Sequence, residues 1–505
     1  MRRSTFDMTY LLLISVFLIA SCGLIYELVA AALASYLLGD SVTQFSTIIG
    51  TYLFAMGVGS YLSQFIGKGL VARFIAIELL IGLIGGSSAA ILFLTFAYVG
   101  TLKLLLYTLV FITGAMVGLE IPLLLRILKD HLQFKDLVAQ VLTFDYIGAL
   151  LVSLLFPIVL APKLGLIRTC FLFGIVNVVV AAWTVWLFRD QLTRAHGFQV
   201  ACFLTALPLL TGFAYADRMT TLAEENLYTD EIVYTATTPY QRIVLTRWRD
   251  DLSLFLNGHQ QFSSRDEYRY HEALVHLGLQ AVPHPRRVLV LGGGDGLAIR
   301  EILKYPSVET ITLVDLDPEM TKLFSTNPGL TALNQGSLSN PLVEVINADA
   351  FVWLEENTAF FDFIVVDFPD PTSHSLSKLY TSAFYKLLRK HVSEHGMAVI
   401  QATSPLYARN SFWCIVKTLE SVGFQATPYH AYVPSFGEWG FVIASQQPYK
   451  PPTHYPSGLR FLTPAIAPAL FAFPNDMQPV EVEVNRLSNQ ALTQYYEAEW
   501  GQVMP

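Results

Sequence analysis

The chain has 505 residues, 53% of them hydrophobic and only 14% charged, with a formal net charge of −8. That length is too great for one ordinary domain, and the acidic balance leaves no basic face to neutralise nucleic-acid phosphates. The four cysteines, Cys22, Cys170, Cys202 and Cys414, lack metal-ligand spacing and point to no disulfide framework.

Residues 1–216 read as a multi-pass helical membrane domain. Seven spans are expected, at about 9–38, 43–66, 71–97, 103–128, 138–161, 167–188 and 197–216, each near the roughly 20 apolar residues a crossing needs. Arg2-Arg3, an apolar stretch and Ile19-Ala20-Ser21-Cys22 have the outline of a lipoprotein signal. The run stays apolar to Leu38, longer than the core of a cleaved signal, so a first membrane helix, long or broken near Gly23, is the expectation. Gly82 with Gly86, and Gly114 with Gly118, have the spacing that lets helices approach closely. Glu27, Glu120 and Asp145 lie in or beside these runs, where an acid either marks an ion or substrate path or is capped and paired near an interface. Seven spans put Arg2, Arg3, Lys68, Arg73, Arg126, Lys129, Lys135, Arg189 and Arg194 on one side, against Lys103, Lys163, Arg168 and Arg218 on the other. The positive-inside rule then leaves the N-terminus in the cytoplasm and everything after residue 216 outside.

Residues 217–281 read as a small β-domain with a linking helix. Its strands are expected at Ile232–Thr235, Arg242–Thr246 and Leu252–Leu256, with a turn at Asn257-Gly258 and a helix from Asp266 to Gly278. Residues 282–447 read as a Rossmann-like α/β domain of the methyltransferase type. Val288–Leu291 is a β-rich run, Gly292-Gly293-Gly294-Asp295-Gly296 breaks it, and Leu297–Lys304 has helical spacing with Arg300, Glu301 and Lys304 as its polar positions. A second strand, Thr310–Val314, ends in Asp315-Leu316-Asp317-Pro318. Strand, glycine turn, helix, and an acid about 20 residues on suit a ligand with a ribose.

Two further strands also end in acids. Val343–Ile346 runs into Asn347-Ala348-Asp349, and Phe363–Val366 into Asp367-Phe368-Pro369-Asp370-Pro371. Ligands of open α/β sheets sit at the carboxyl ends of strands, so Asp295, Asp315, Asp349, Asp367 and Asp370 are expected to converge on one cleft. Any one alone reads equally as a turn or cap residue. Five together point to a cationic, nucleoside-bearing ligand, and Asp295 inside the glycine turn repels phosphate and carboxylate while attracting an ammonium. A fifth strand at Met397–Ala402, a helix at Asn410–Val422 and a hairpin over Ala431–Ser445 follow. Residues 448–505 read as a proline-rich strap and a helix at Asn489–Trp500, to which the sequence assigns no role.

GGGDG, VDLD, the strand end at Asp349, VVDFPDP and Tyr270-His271-Glu272 together resemble the polyamine aminopropyltransferases, typified by spermidine synthase, over roughly residues 230–445. The apolar half resembles the membrane-embedded members of that family. The resemblance implies transfer of an aminopropyl group from decarboxylated S-adenosylmethionine, a co-substrate, to putrescine, giving spermidine and 5′-methylthioadenosine with no resident cofactor or metal. It makes Asp367 the general base, with Tyr270 orienting or relaying the proton. His271, Asp295, Asp370 and Trp439 are assigned to binding the polyamine substrate, with Asp370 holding the attacking end and Asp295 also facing the donor's ammonium. Gln241, Gly292, Gly294, Asp315, Asp349 and Ala350 are assigned to the donor: Gln241 to the nucleoside, Asp315 to the ribose, Asp349 to the adenine amino group and Ala350 to a backbone contact. The chain departs from the family pattern in having Asp315 for a glutamate and Phe436 for a tyrosine. A cytosolic donor calls for a catalytic domain on the cytoplasmic side of the inner membrane, against the charge bias. A methyltransferase on the same fold, and a membrane polyamine transporter or sensor with an inactive domain, are the alternatives. The bilayer is an expected partner, nucleic acid is not, and self-association is left open.

Overall fold

The computed structural model describes residues 5–38, 41–95, 102–129 and 134–503; Arg2 and Arg3, counted in the charge bias, lie outside them. The chain divides into two compact units, Met1–Glu231 and Ile232–Pro505.

The first unit is helical: α1 (Thr5–Leu38), α2 (Ser41–Leu62), α3 (Leu70–Thr95), α4 (Leu102–Leu128), α5 (Phe134–Leu155), α6 (Gly165–Leu187) and α7 (Ala195–Leu227). Among the described residues, six helical runs are long and apolar enough to cross a membrane, and one of them, Lys135–Leu187, contains both α5 and α6. A wide-turn stretch, Phe156–Leu164, joins these two and ends at Gly165, whose φ of +76° suits a residue without a Cβ. Helix α7 continues past the expected boundary at 216, and just there Asp217 pairs with Arg168 of α6 at 2.7 Å.

Glycines set the closest helix crossings. A Cβ at Gly118 would stand 2.1 Å from the Met56 carbonyl oxygen, and one at Gly82 would stand 2.9 Å from that of Gly174. Helices α2 and α4, and α3 and α6, therefore meet backbone to backbone. A polar thread runs through this apolar packing. Tyr26 donates to Asn177 Oδ1 at 2.7 Å, Asn177 Nδ2 donates to Glu78 Oε2 at 2.8 Å, and the Glu120 carboxyl lies against Glu78. Glu120 is thus buried within the helix packing, and Arg126 donates to the Ser63 carbonyl at 3.1 Å. The four cysteines are buried and unpaired with one another.

The second unit begins with a four-stranded sheet, β1 (Glu231–Thr237), β2 (Arg242–Trp248), β3 (Asp251–Leu256) and β4 (His259–Ser263), in that order. Strand β4 was not expected; it follows Asn257 and Gly258, both in the left-handed region, as a tight hairpin requires. Then come α8 (Glu267–Leu279), β5 (Arg287–Gly292), α9 (Leu297–Ile302), β6 (Thr310–Asp315), α10 (Pro318–Thr326), α11 (Pro328–Leu333), β7 (Val343–Asn347) and α12 (Ala350–Glu356). The chain ends with β8 (Phe361–Asp367), α13 (His374–Ser377), α14 (Ser382–His391), β9 (Val392–Gln401), α15 (Arg409–Ser421), β10 (Gln425–Val433), β11 (Gly437–Ser445) and α16 (Ala491–Val503).

The large sheet has the order β10-β11-β9-β8-β5-β6-β7, with β5 to β9 parallel and the β10–β11 hairpin antiparallel against β9. From β5 the chain steps outward through β6 to β7, then returns to place β8 on the other flank of β5. The topological switch point, where such sheets bind ligands, lies between β5 and β8. Arg300 and Glu301, expected as the polar face of α9, are buried against α8. There the Arg300 guanidinium clasps both oxygens of Glu267 at 2.9 Å, and Glu301 meets His276 at 2.8 Å.

The segment after β11 has little regular structure, so its backbone donors need side-chain partners. Glu272 of α8, 1% exposed, accepts from the backbone N–H groups of Arg460, Phe461 and Leu462 at 2.7, 2.9 and 2.8 Å. Glu272→Ala would strand three donors, each costing about 1–3 kcal/mol when unsatisfied in the interior. We expect this variant to unfold at markedly lower urea concentration than wild type, with Glu272→Gln intermediate. An unchanged unfolding midpoint, followed by tryptophan fluorescence, would show that this clasp contributes nothing.

Candidate active site

The glycine turn after β5 is shaped by backbone proximity. Gly292 is the register partner of Asp367, and a Cβ at Gly292 would fall 2.3 Å from the Asp367 carbonyl oxygen. A Cβ at Gly294 would fall 2.7 Å from the Asp315 carboxyl carbon, and the Gly294 N–H donates to Asp315 Oδ2 at 3.0 Å. Asp295 accepts from the Leu297 N–H at 2.9 Å, which fixes its carboxyl at the start of α9. Burial pushes that carboxyl up to about 6; His271 pulls it back down, and Asp367 adds to the rise.

Helix α8 supplies the other wall. Tyr270 Oη donates to Asp367 Oδ1 at 2.5 Å, while Asp367 Oδ2 faces the turn, 3.2 Å from where a Gly293 Cβ would stand. Burial raises the Asp367 carboxyl above its ordinary value, against the opposing pull of His271 and the Tyr270 hydrogen bond. Burial and Asp367 together push the Tyr270 phenol well up, so it stays a donor. His271 Nδ1 is held by the carboxylate and carbonyl of Glu267 at 2.8 and 2.9 Å, and Glu267 in turn is gripped by Arg300. Burial disfavours the imidazolium, but Glu267, then Asp295 and Asp367, outweigh it and raise the His271 pKa. Phe436 and Phe441 flank the Tyr270 ring at 6.3 and 5.2 Å. The turn carrying Phe436 is tied to the base of α8, where Asp266 accepts from Ser435 N and Oγ, both at 2.8 Å.

Asp370 stands three residues beyond the end of β8 and is held from three directions. It accepts from Gln401 Nε2 at 3.1 Å, Thr403 Oγ1 at 3.0 Å and Tyr496 Oη at 3.0 Å. Burial raises its carboxyl, and these three donors oppose the rise. Gln401 also accepts from Trp439 Nε1 at 3.2 Å, which orients the indole. Thr403 has a φ of +56°, a strained value for a β-branched residue, at the point where the chain leaves β9 beside this cluster.

The remaining acids form a row rather than a single focus. Asp315, pushed up to about 6 by burial, accepts from Asp317 N at 2.9 Å as well as from Gly294. Gln241 Nε2 donates to Asp317 Oδ2 at 2.9 Å, which brings the small sheet to the end of β6. Asp349 caps α12 through Phe351 N at 2.8 Å and pairs with Lys378 at 2.7 Å. Burial works against its charge, but Lys378 and the cap hold its carboxyl below the ordinary value. Ala350 opens α12 and is buried. Strands β8, β5, β6 and β7 are neighbours, so Asp367 and Asp349 end strands three spacings, about 14 Å, apart. The edge is long enough for an extended ligand.

Sequence reading missed Glu267, Arg300, Gln401, Thr403, Lys378 and Tyr496. A glutamine closing the apolar run of β9 is a visible signal in retrospect. Tyr496, 126 residues from Asp370, leaves none.

A family model for the spermine/spermidine synthase domain matches residues 267–454. A polyamine aminopropyltransferase from Leptospira interrogans is 55% identical over 493 residues, covering 98% of this chain and 99% of that protein. Polyamine aminopropyltransferase 2 of Ralstonia nicotianae is 55% identical over 503 residues, covering 98% and 99%. A solved spermidine synthase from Thermotoga maritima aligns with 48% of this chain and 85% of its own at 26% identity, with a TM-score of 0.45. Near-complete mutual coverage at 55% identity settles the family. This chain belongs to the polyamine aminopropyltransferases.

Proposed function

We propose that the enzyme moves the aminopropyl group of decarboxylated S-adenosylmethionine onto putrescine, forming spermidine and 5′-methylthioadenosine. The observation that carries this reading is the Tyr270–Asp367 pair at the switch point, with the second Asp367 oxygen turned to the glycine turn. A sulfonium is already a good leaving group. The obstacle is the acceptor: an alkylammonium with a pKa of about 10.4 is protonated at neutral pH and has no lone pair to offer.

Asp367 Oδ2 takes the ammonium proton while Tyr270 keeps Oδ1 fixed. The freed amine attacks the carbon beside sulfur, the C–S bond breaks, and its electron pair returns to sulfur as a neutral thioether. Asp370 holds the acceptor's cationic end through charge-assisted hydrogen bonds. Asp295 attracts the donor's ammonium and repels a carboxylate at the same place, which discriminates against the undecarboxylated parent. Asp315 takes the ribose hydroxyls. The adenine lies over the end of β7, at Asp349 and Ala350, with Gln241 closing over the nucleoside. Trp439 and His271 complete the amine-side wall.

Asp367→Asn keeps the shape and the Tyr270 contact but removes the base. Turnover is expected to fall about 100- to 10,000-fold, with donor binding unchanged. The base works only when ionised, so wild-type kcat/KM should decline as pH drops through a pKa above the ordinary carboxylate range. Asp367→Asn should lose that limb and recover partly at high pH, where more putrescine arrives neutral. Asp370→Asn should chiefly raise the KM for putrescine. Near-normal turnover of Asp367→Asn at neutral pH would remove the base assignment.

We further propose that the helical unit spans the cytoplasmic membrane and that the catalytic unit faces the cytoplasm. Six long apolar runs and their backbone-to-backbone glycine crossings support the first part. A nucleoside donor made inside the cell supports the second, against the distribution of basic residues. A cysteine placed at Lys322, whose side chain is 67% exposed, should react with a membrane-impermeant maleimide only after cells are lysed. Labelling in intact cells would place the catalytic unit outside.

A further inference from the structure

The last helix, α16, lies beyond the residues matched by the family model, which end at 454. It nevertheless reaches the amine side of the cleft. Tyr496, 7% exposed, donates to Asp370 Oδ2 at 3.0 Å, and that same oxygen accepts from Thr403. The helix is fixed by its own contacts rather than by this one bond. Glu499 accepts from the Asn410 and Ser411 backbone N–H groups at 2.6 and 3.1 Å, capping α15, and from Ser411 Oγ at 2.7 Å.

The segment leading into α16 also grips the loop after β8. Asn485 is fully buried; its carbonyl accepts from Ser382 N at 2.9 Å, and its Nδ2 donates to the carbonyls of Ser377 and Tyr380 at 3.3 and 3.2 Å. Tyr380 Oη donates to the Pro369 carbonyl at 3.1 Å, next to Asp370. The same short stretch of chain therefore holds the Asp370 carboxyl from one side and its loop from the other.

We infer that the C-terminal segment is a built-in wall of the acceptor-amine site, with Tyr496 the positioning residue that fixes the Asp370 carboxylate for the incoming cation. This rests on the aminopropyl-transfer reading, in which Asp370 binds the acceptor. A rigid carboxylate binds an ammonium without first being ordered, and the phenol also favours its charged form. Tyr496 acts through Asp370, so its loss should weaken acceptor binding while leaving the proton transfer at Asp367 intact.

The test uses the full-length enzyme with decarboxylated S-adenosylmethionine and putrescine. Tyr496→Phe removes one hydroxyl; it should raise the putrescine KM about tenfold, leave kcat within about twofold, and leave methylthioadenosine binding by calorimetry unchanged. Glu499→Ala, which loosens α16 at a distance, should move the putrescine KM in the same direction. A general packing defect would instead lower kcat and donor binding together. Transfer by wild type with an unchanged putrescine KM in Tyr496→Phe would overturn the wall while leaving the reaction standing. Absence of transfer by wild type would overturn both.

Discussion

The approach of β5 to β8 at their carboxyl ends governs the rest of the site. Gly292 and Asp367 are register partners so close that a methyl group would collide with backbone, and Gly294 meets the Asp315 carboxyl just as tightly. This brings Asp295, Asp315 and Asp367 to adjoining positions with little water to solvate them, and each carboxyl is raised by burial. Charges crowded in this way need counter-charges. The Arg300–Glu267–His271 relay supplies one, because the first two form a neutral pair and His271 leans toward its cation. The ammonium groups of a decarboxylated donor and a diamine acceptor are of the right sign to supply the others.

A similar economy organises the C-terminal segment. Between β11 and α16 the backbone has few ladder partners, and three side chains, of acids and an amide, tie this segment and α16 to the sheet domain. Glu272 collects three N–H groups of the strap, Asn485 bridges to the loop after β8, and Glu499 caps α15. Irregular chain is thereby locked onto the sheet domain at three points. Residues far apart in sequence, Asp370 and Tyr496, thereby share one hydrogen bond.

Much of this was legible because local physics and tertiary structure agree along β5 to β8. Short apolar runs stopped by glycine or aspartate gave the strands, and the acid at each stop marked one edge of the sheet. The expected spans 138–161 and 167–188 fall on α5 and α6, which lie inside one apolar run of 53 residues. Other features were hidden by their non-local partners. Arg300 and Glu301 carry the residue types of a solvated face, yet α8 buries and satisfies them. Strand β4, HQQFS, lacks an alternating pattern and exists because the Asn257-Gly258 turn folds it onto β3. Glu78 sits inside an apolar helix and is matched by Asn177 from a helix 99 residues away. Asp349, which the family resemblance assigns to the adenine amino group, is also a helix cap and the partner of Lys378, which local sequence does not disclose.

The central claim is that an acid-lined switch point selects a decarboxylated sulfonium donor and alkylates an amine with it. Mass spectrometry of products from the purified full-length enzyme, given putrescine with either decarboxylated S-adenosylmethionine or its parent, tests this directly. Spermidine and methylthioadenosine should form with the decarboxylated donor and be absent with the parent. Methylated putrescine from the parent compound, or no aminopropyl product from either donor, would contradict the account.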